Sequence, residues 1–317
     1  MAVLDPTPLL RQMLIRLSQQ DRLRNLAARN TVAQHMAYRF VAGETLDEAV
    51  RVVREINRRG MTATLDHLGE NVSSKEEATE AANAYLRILE EISRTGITCN
   101  ASLKLTQLGL DLGDDFAFEN TRRVVDLAAQ LGNFIRIDME SSNYVDRTLD
   151  IFFRLFADYQ NVGAVIQSYL YRSESDLEQL IQAGARVRLV KGAYLEPASV
   201  AFQEKDEVDR SFVRLMQMLL SRGNYPAIAT HDVAMIRATR RYAEQQDIEQ
   251  ARYEFQMLFG IRRDLQLQLV REGYNMRVYV PYGTHWYPYL MRRLAERPAN
   301  VMFVLGNVAR EAVGNRR

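Results

Sequence analysis

The chain has 317 residues, 47% hydrophobic and 26% charged, a globular composition with room for one large α/β barrel or two ordinary domains. Lysine and arginine total 41 against 40 acidic residues, so no global field draws the protein to nucleic acid. A lone cysteine, Cys99, excludes an internal disulfide and any cysteine-built zinc or iron–sulfur site, and fits a reducing cytoplasmic compartment.

The first residues, MAVLDPTPLLRQMLIRLSQQDRLR, lack the uninterrupted apolar core of a signal peptide. Leu9, Leu10, Met13, Leu14 and Leu17 instead recur at helical spacing, an amphipathic pattern. No stretch approaches the ~18 consecutive apolar residues of a membrane span. The expectation is a cytoplasmic protein with at most a peripheral seat at the inner face of a membrane. Residues 1–60 offer no strand pattern and little core, and read as a helical segment packed on the rest of the chain.

From about residue 60 onward one theme repeats: a short β-rich run, a polar or glycine turn, a helical stretch. The β-rich runs are Thr62–Leu68, Ala101–Leu108, Phe134–Glu140, Gly163–Leu170, Arg186–Tyr194, Ala227–His231, Tyr253–Leu258 and Met276–Tyr282. Helical patterns between them include Lys75–Ser93, with Ser73 or Ser74 as cap and Glu76 or Glu77 closing a capping box, then Glu119–Leu131 and Ser173–Ala183. Strands alternating with crossover helices point to a parallel sheet closed on itself, residues 61–317 forming one barrel. An open doubly wound sheet is the runner-up. If it bound a dinucleotide it would bring a G-x-G-x-x-G turn, and the chain has none.

Catalytic groups of a barrel enzyme come from the C-terminal ends of its strands. Here those ends are polar: Asp66-His67, Lys104 in ASLKLTQLG, Asp138 and Glu140 in IDMES, Gln167 in VIQSYL, Arg188 and Lys191 in RLVKGAY, Thr230-His231-Asp232, Gln256, and YVPYG at the eighth. By alternation Ser102, Lys104 and Thr106 share one face, directed into the barrel mouth. A lysine buried there needs a partner, and Asp138 or Glu140 of the next strand is the natural one. For any single residue a structural ion pair is as good an account as a site; eight polar ends together favour a site.

After the eighth run, Tyr289, Arg292, Arg293 and Glu296 stand at i, i+3, i+4 and i+7, one helical stripe. Such a stripe is commonly a solvated face of ion pairs worth tenths of a kcal/mol. Two adjacent guanidiniums also offer the fork that holds a carboxylate, which suggests a small carboxylate-bearing substrate. The histidines, His35, His67, His231 and His285, show no metal-ligand spacing, so no metal is expected.

The motifs RLVKGAY, IDME, KLTQLG, ATHD, FQMLFG, YVPYG and YLMRRLAERPAN, in this order, resemble the proline dehydrogenase family from about residue 40 onward, most closely its stand-alone bacterial members. The resemblance implies a distorted (β/α)8 barrel with extra N-terminal helices, a final helix over the active site and non-covalent FAD, whose phosphates need no Rossmann turn. It implies oxidation of L-proline to 1-pyrroline-5-carboxylate, the first step of proline catabolism, with electrons passed to a membrane quinone. Asp138, Met139, Gln167, Arg188, Val190, Gly192, Ala193, Tyr194, Thr230 and His231 would contact the flavin. Arg292 and Arg293 would clamp the proline carboxylate, with Lys104 close to both substrate and flavin. Leu258, Tyr279 and Tyr289 would pack around the pyrrolidine ring, Glu296 would orient the arginines, and Glu70 would ion-pair in a gate.

Two features depart from the family pattern. The sixth strand ends in THD where many relatives carry THN, so Asp232 is left out of the site, and the C-terminus reads as a shortened family tail. Two other readings compete. Strand lysines Lys104 and Lys191 would also suit a Schiff-base aldolase. A non-catalytic scaffold would use the arginine stripe to dock an acidic partner.

Overall fold

A computed structural model of the chain describes residues 37–69 and 71–296, with side chains up to Arg293. Eight parallel strands close into a barrel in sequence order, β8 pairing back to β1. They are β1 (Thr62–His67), β2 (Cys99–Leu103), β3 (Ile135–Ile137), β4 (Val162–Gln167), β5 (Arg186–Val190), β6 (Ala227–Ala229), β7 (Glu254–Leu258) and β8 (Asn275–Tyr282). The described helices are α1 (Leu46–Arg58), α2 (Lys75–Thr95), α3 (Asp114–Gln130), α4 (Val145–Asp158), α5 (Ser173–Gln182), α6 (Lys205–Arg222), α7 (Val233–Gln245), α8 (Arg263–Arg271) and α9 (Trp286–Glu296).

Each predicted β-rich run overlaps a strand, three of which begin one or two residues earlier, and several of those strands stop early. The run 101–108 ends its pairing at Leu103, and 134–140 at Ile137. Their polar tails leave the ladder and fold into turns, as where the Leu108 and Leu110 amides both donate to the Leu105 carbonyl. Helix ends follow local chemistry. Thr45 and Glu48 form a reciprocal capping box at α1. At α2 the Ser74 hydroxyl accepts from the Glu77 amide, while the Glu77 carboxylate turns back one residue further, to the Ser73 amide.

Strand alternation separates two environments. Outward residues such as Leu65, Leu103, Ile137, Leu189, Phe255 and Val278 are buried under the helices and form the main core. Inward residues are polar: Thr64, Asp66, Asn100, Ser102, Arg136, Arg188, Glu254 and Gln256, all buried. Their bulk is accommodated by small neighbours on β4 and β6. A Cβ on Gly163 would stand 2.6 Å from Nη1 of Arg136.

The helix before the first strand, α1, packs on the outer faces of β1 and β8. That is the position an eighth barrel helix would fill, and α9 is left to begin at the rim instead. There the Gly283 amide donates to the Gly43 carbonyl, and Trp286 Nε1 donates to Glu44 Oε1 at 3.1 Å.

Candidate active site

The polar strand ends converge. Asp66 is the inward residue near the end of β1, Lys104 the first residue past β2, and Asp138 the first past β3. Lys104 Nζ lies 3.2 Å from Asp66 Oδ1 and 3.7 Å from Asp138 Oδ2. Asp138 binds across the whole mouth. Its Oδ1 accepts from Arg188 Nη1 at 2.7 Å and from the Ser102 hydroxyl at 2.6 Å, and its Oδ2 accepts from the Tyr279 hydroxyl at 2.7 Å. Arg188 Nε donates to Gln256 Oε1 at 2.6 Å, and the guanidinium lies 5.3 Å from the Tyr279 ring centre. Residues from β1, β2, β5, β7 and β8, with Lys104 and Asp138 just past β2 and β3, thus form one lattice of hydrogen bonds and ion pairs.

Electrostatics divide the two aspartates. Burial pushes both carboxyls up. For Asp138 the Arg188 and Lys104 cations and the Ser102 and Tyr279 hydroxyls outweigh burial and hold it below the ordinary carboxylate range. For Asp66 burial wins over the Lys104 cation, with the Asp138 charge adding to it, and the carboxyl is raised. Tyr279 is raised well above an ordinary phenol by burial and by the same two carboxylates, so its hydroxyl is a hydrogen-bond donor.

A second layer lies one step deeper. Glu254 accepts from Arg277 Nε at 2.8 Å, and Arg277 Nη1 also donates to the Ala63 carbonyl and Asn100 Oδ1. Arg136 donates to the Ala164 and Arg186 carbonyls. The Gln256 amide bridges the layers, with Oε1 on Arg188 and Nε2 on Glu254.

Most residues expected at the site have a definite place in the barrel mouth. Lys104 and Asp138 meet as anticipated, though Asp66 is the nearer carboxylate. Glu140 does not reach Lys104: its carboxylate accepts from the Thr106 amide and hydroxyl, which fixes the turn after β2. Gln167 is buried with Nε2 on the Glu140 carbonyl, and Met139 is buried beside it in sequence. Val190, Gly192, Ala193 and Tyr194 are half-buried along the exit of β5. Gly192 has φ +120, and a Cβ there would overlap the Tyr169 ring at 2.5 Å, so only glycine allows the backbone to pass so close.

Thr230 is buried and its hydroxyl accepts from the Asp232 amide. His231 Nε2 accepts from the Leu258 amide at 2.9 Å, which puts the imidazole proton on Nδ1. Tyr289 is buried on α9, with the Arg293 guanidinium 5.3 Å from its ring centre, and Arg292 and Arg293 are half-buried. Glu70, the Glu296 side chain and His35 lie outside the described residues.

Asp66, Ser102 and Gln256 complete the lattice, and the family motifs assign none of them to the site. Inward alternation from Lys104 and Arg188 was the available signal. Glu196 was missed too: it accepts from the Ser142 amide at 2.7 Å and ties the long loop after β5 to the exit of β3. Lys191 reaches away to Asp209 on α6 and Asp232 Oδ2 at 2.7 Å, while Asp232 Oδ1 caps α7. That ion pair gives the aspartate after the strand-six histidine a partner.

A bound flavin is tested by what the lattice leaves over. Arg188 Nη2 is buried without a hydrogen-bond partner, a guanidinium N–H that calls for an acceptor. A heteroatom-rich ring fits that donor. Among the described residues no three His, Cys, Asp or Glu side chains are grouped to hold a metal ion, and no helix is long and apolar enough to cross a membrane.

The sequence profile of the family described as proline dehydrogenase matches residues 49–305. The chain is 42% identical over 275 residues to proline dehydrogenase 1 of Bacillus subtilis (strain 168), covering 87% of this chain and 91% of that one. It is 43% identical over 276 residues to the proline dehydrogenase of Deinococcus radiodurans, covering 86% and 89%. A crystal structure of proline utilization A from Bdellovibrio bacteriovorus, inactivated by N-propargylglycine, superposes with a TM-score of 0.79 at 29% identity. That match covers 87% of this chain and 34% of the larger protein, so the chain spans about a third of its length.

Proposed function

The chain belongs to the proline dehydrogenase family, and from that premise we propose that it oxidises L-proline to 1-pyrroline-5-carboxylate with non-covalent FAD, handing the electrons to a membrane quinone. The observation that carries the FAD assignment is Arg188, buried, fixed by Asp138 and Gln256, with Nη2 left for an acceptor. FAD, when bound, supplies the acceptor for the hydride that leaves the ring carbon next to nitrogen. Met139, Gln167, Val190, Gly192, Ala193, Tyr194, Thr230 and His231 line its seat.

The protein's own share is positioning and electrostatics. Arg292 and Arg293 hold the proline carboxylate as a fork, and Lys104 adds a third cation. Glu296 orients the arginines and Glu70 closes the gate. Leu258, Tyr279 and Tyr289 enclose the apolar ring and exclude water. Tyr279 is pinned by its hydrogen bond to Asp138, so its ring is fixed before substrate arrives. The Schiff-base alternative loses ground because Lys191 is held in ion pairs with Asp209 and Asp232.

The test is a visible spectrum of the purified protein followed by anaerobic L-proline. Flavin bands that bleach with L-proline, but not with D-proline or glycine, are the expected result. A colourless protein that stays inert after added FAD would overturn the proposal.

A further inference from the structure

Asp66 is only 1% exposed, and its Oδ1 lies 3.2 Å from Lys104 Nζ. Because Asp66 is in register with Ser102, Lys104 projects from the same face one step further toward the mouth. A buried carboxylate is costly and persists only where something pairs with it. Asp138 keeps Lys104 at 3.7 Å, because its oxygens are hydrogen-bonded elsewhere: Oδ1 to Arg188 and Ser102, Oδ2 to Tyr279. If Lys104 closed to hydrogen-bonding distance of Asp138, it would loosen both the flavin-facing arginine and the ring-packing tyrosine. The groups around this pair are Asp138 just past β3, Arg188 of β5, Tyr279 and Tyr282 of β8 and Tyr85 of α2.

We propose that Asp66 is a positioning residue for the oxidation: it anchors the Lys104 ammonium on its flexible stem, so that Asp138 can serve Arg188 and Tyr279. The inference rests on the proline reading above. Asp66 touches neither substrate nor flavin in this account and acts only through Lys104.

The experiment compares the flavin-loaded wild type with Asp66→Asn, Lys104→Met and the double variant, in steady-state proline oxidation. Asp66→Asn is expected to raise the KM for L-proline about 10-fold with kcat within about 3-fold, the scale on which contacting residues couple. In the Lys104→Met background, adding Asp66→Asn is expected to change kcat/KM by less than about 2-fold. A further large loss there, or a single variant with unchanged KM, would overturn the inference while leaving the proline reading intact. If Asp66→Asn does not fold alone, the double variant removes both charges and still gives the comparison. If neither folds, Asp66 is a structural residue and the inference falls. A wild type that does not oxidise L-proline would overturn the reaction first, and this inference with it.

Discussion

Replacing Glu254 by Gln keeps the shape of the deeper barrel layer and removes one charge. Glu254 is 3% exposed and lies 2.8 Å from Arg277 Nε, with the Arg136 charge adding to its field. At 2.8 Å and an effective dielectric of about 20, direct attraction is about 6 kcal/mol. Neutralising the acid relieves its own desolvation but strands the arginine, and breaking a buried pair this way costs about 3–5 kcal/mol. With a urea slope near 3 kcal/mol per molar, the unfolding midpoint should fall by about 1–2 M.

The pH dependence supplies a second readout. Burial would raise the Glu254 carboxyl, but Arg277, Gln256 and Arg136 overcome it and hold it below its ordinary 4.5. A depressed carboxylate lends stability above its unfolded value and loses it as pH falls through the folded one. The gap between wild type and Glu254→Gln should therefore be full above pH 4.5 and close below it. A midpoint shift equivalent to less than about 1 kcal/mol near neutral pH would refute the reasoning, because the layer would then be held by hydrogen bonds alone.

Arg188→Lys keeps the charge but loses the planar fork that spans Gln256, Asp138 and an outside acceptor, so FAD affinity should fall about 10–100-fold, read by flavin retained on dialysis. Tyr279→Phe frees one oxygen of Asp138, and the KM for L-proline should rise several-fold with thermal stability lowered by about 1 kcal/mol, read by paired kinetics and melting curves. Burial, with His285 and Arg87 adding to it, pushes the His67 imidazole down to about 4. Its ring signals in NMR should stay flat near pH ~6.5, where a free histidine titrates. Stability at this position is present above the unfolded value and drains as pH falls toward 4, so His67→Gln should reduce acid sensitivity.

Strand order was readable because short runs that alternate apolar outward residues with polar inward ones recur between turns and helical stretches, as in 186–190 and 254–258. Strand length was not. Lys104 and Thr106 continue the alternation on paper, yet pairing ends at Leu103 because the chain turns to let Glu140 bind Thr106. Asp138, Arg188 and Tyr279 were legible through their motifs. Their mutual geometry was not, since it depends on register between strands up to 141 residues apart in sequence. Arg136 and Glu254 escaped notice because a charge inside a short strand looks like an exception, until its partner on another strand is known.

The wall that closes the barrel and the helix that carries Arg292 and Arg293 are encoded at opposite ends of the described chain. Since α1 covers β1 and β8, sealing that side of the barrel falls chiefly to α1 rather than to the rim helix α9. On the proposed function its arginines answer to ligand, while Trp286 and its bond to Glu44 tie the start of the helix to the scaffold. Drift in the arginine face of α9 would then change what the mouth accepts without opening the seam, whereas drift in the core face of α1 would breach it.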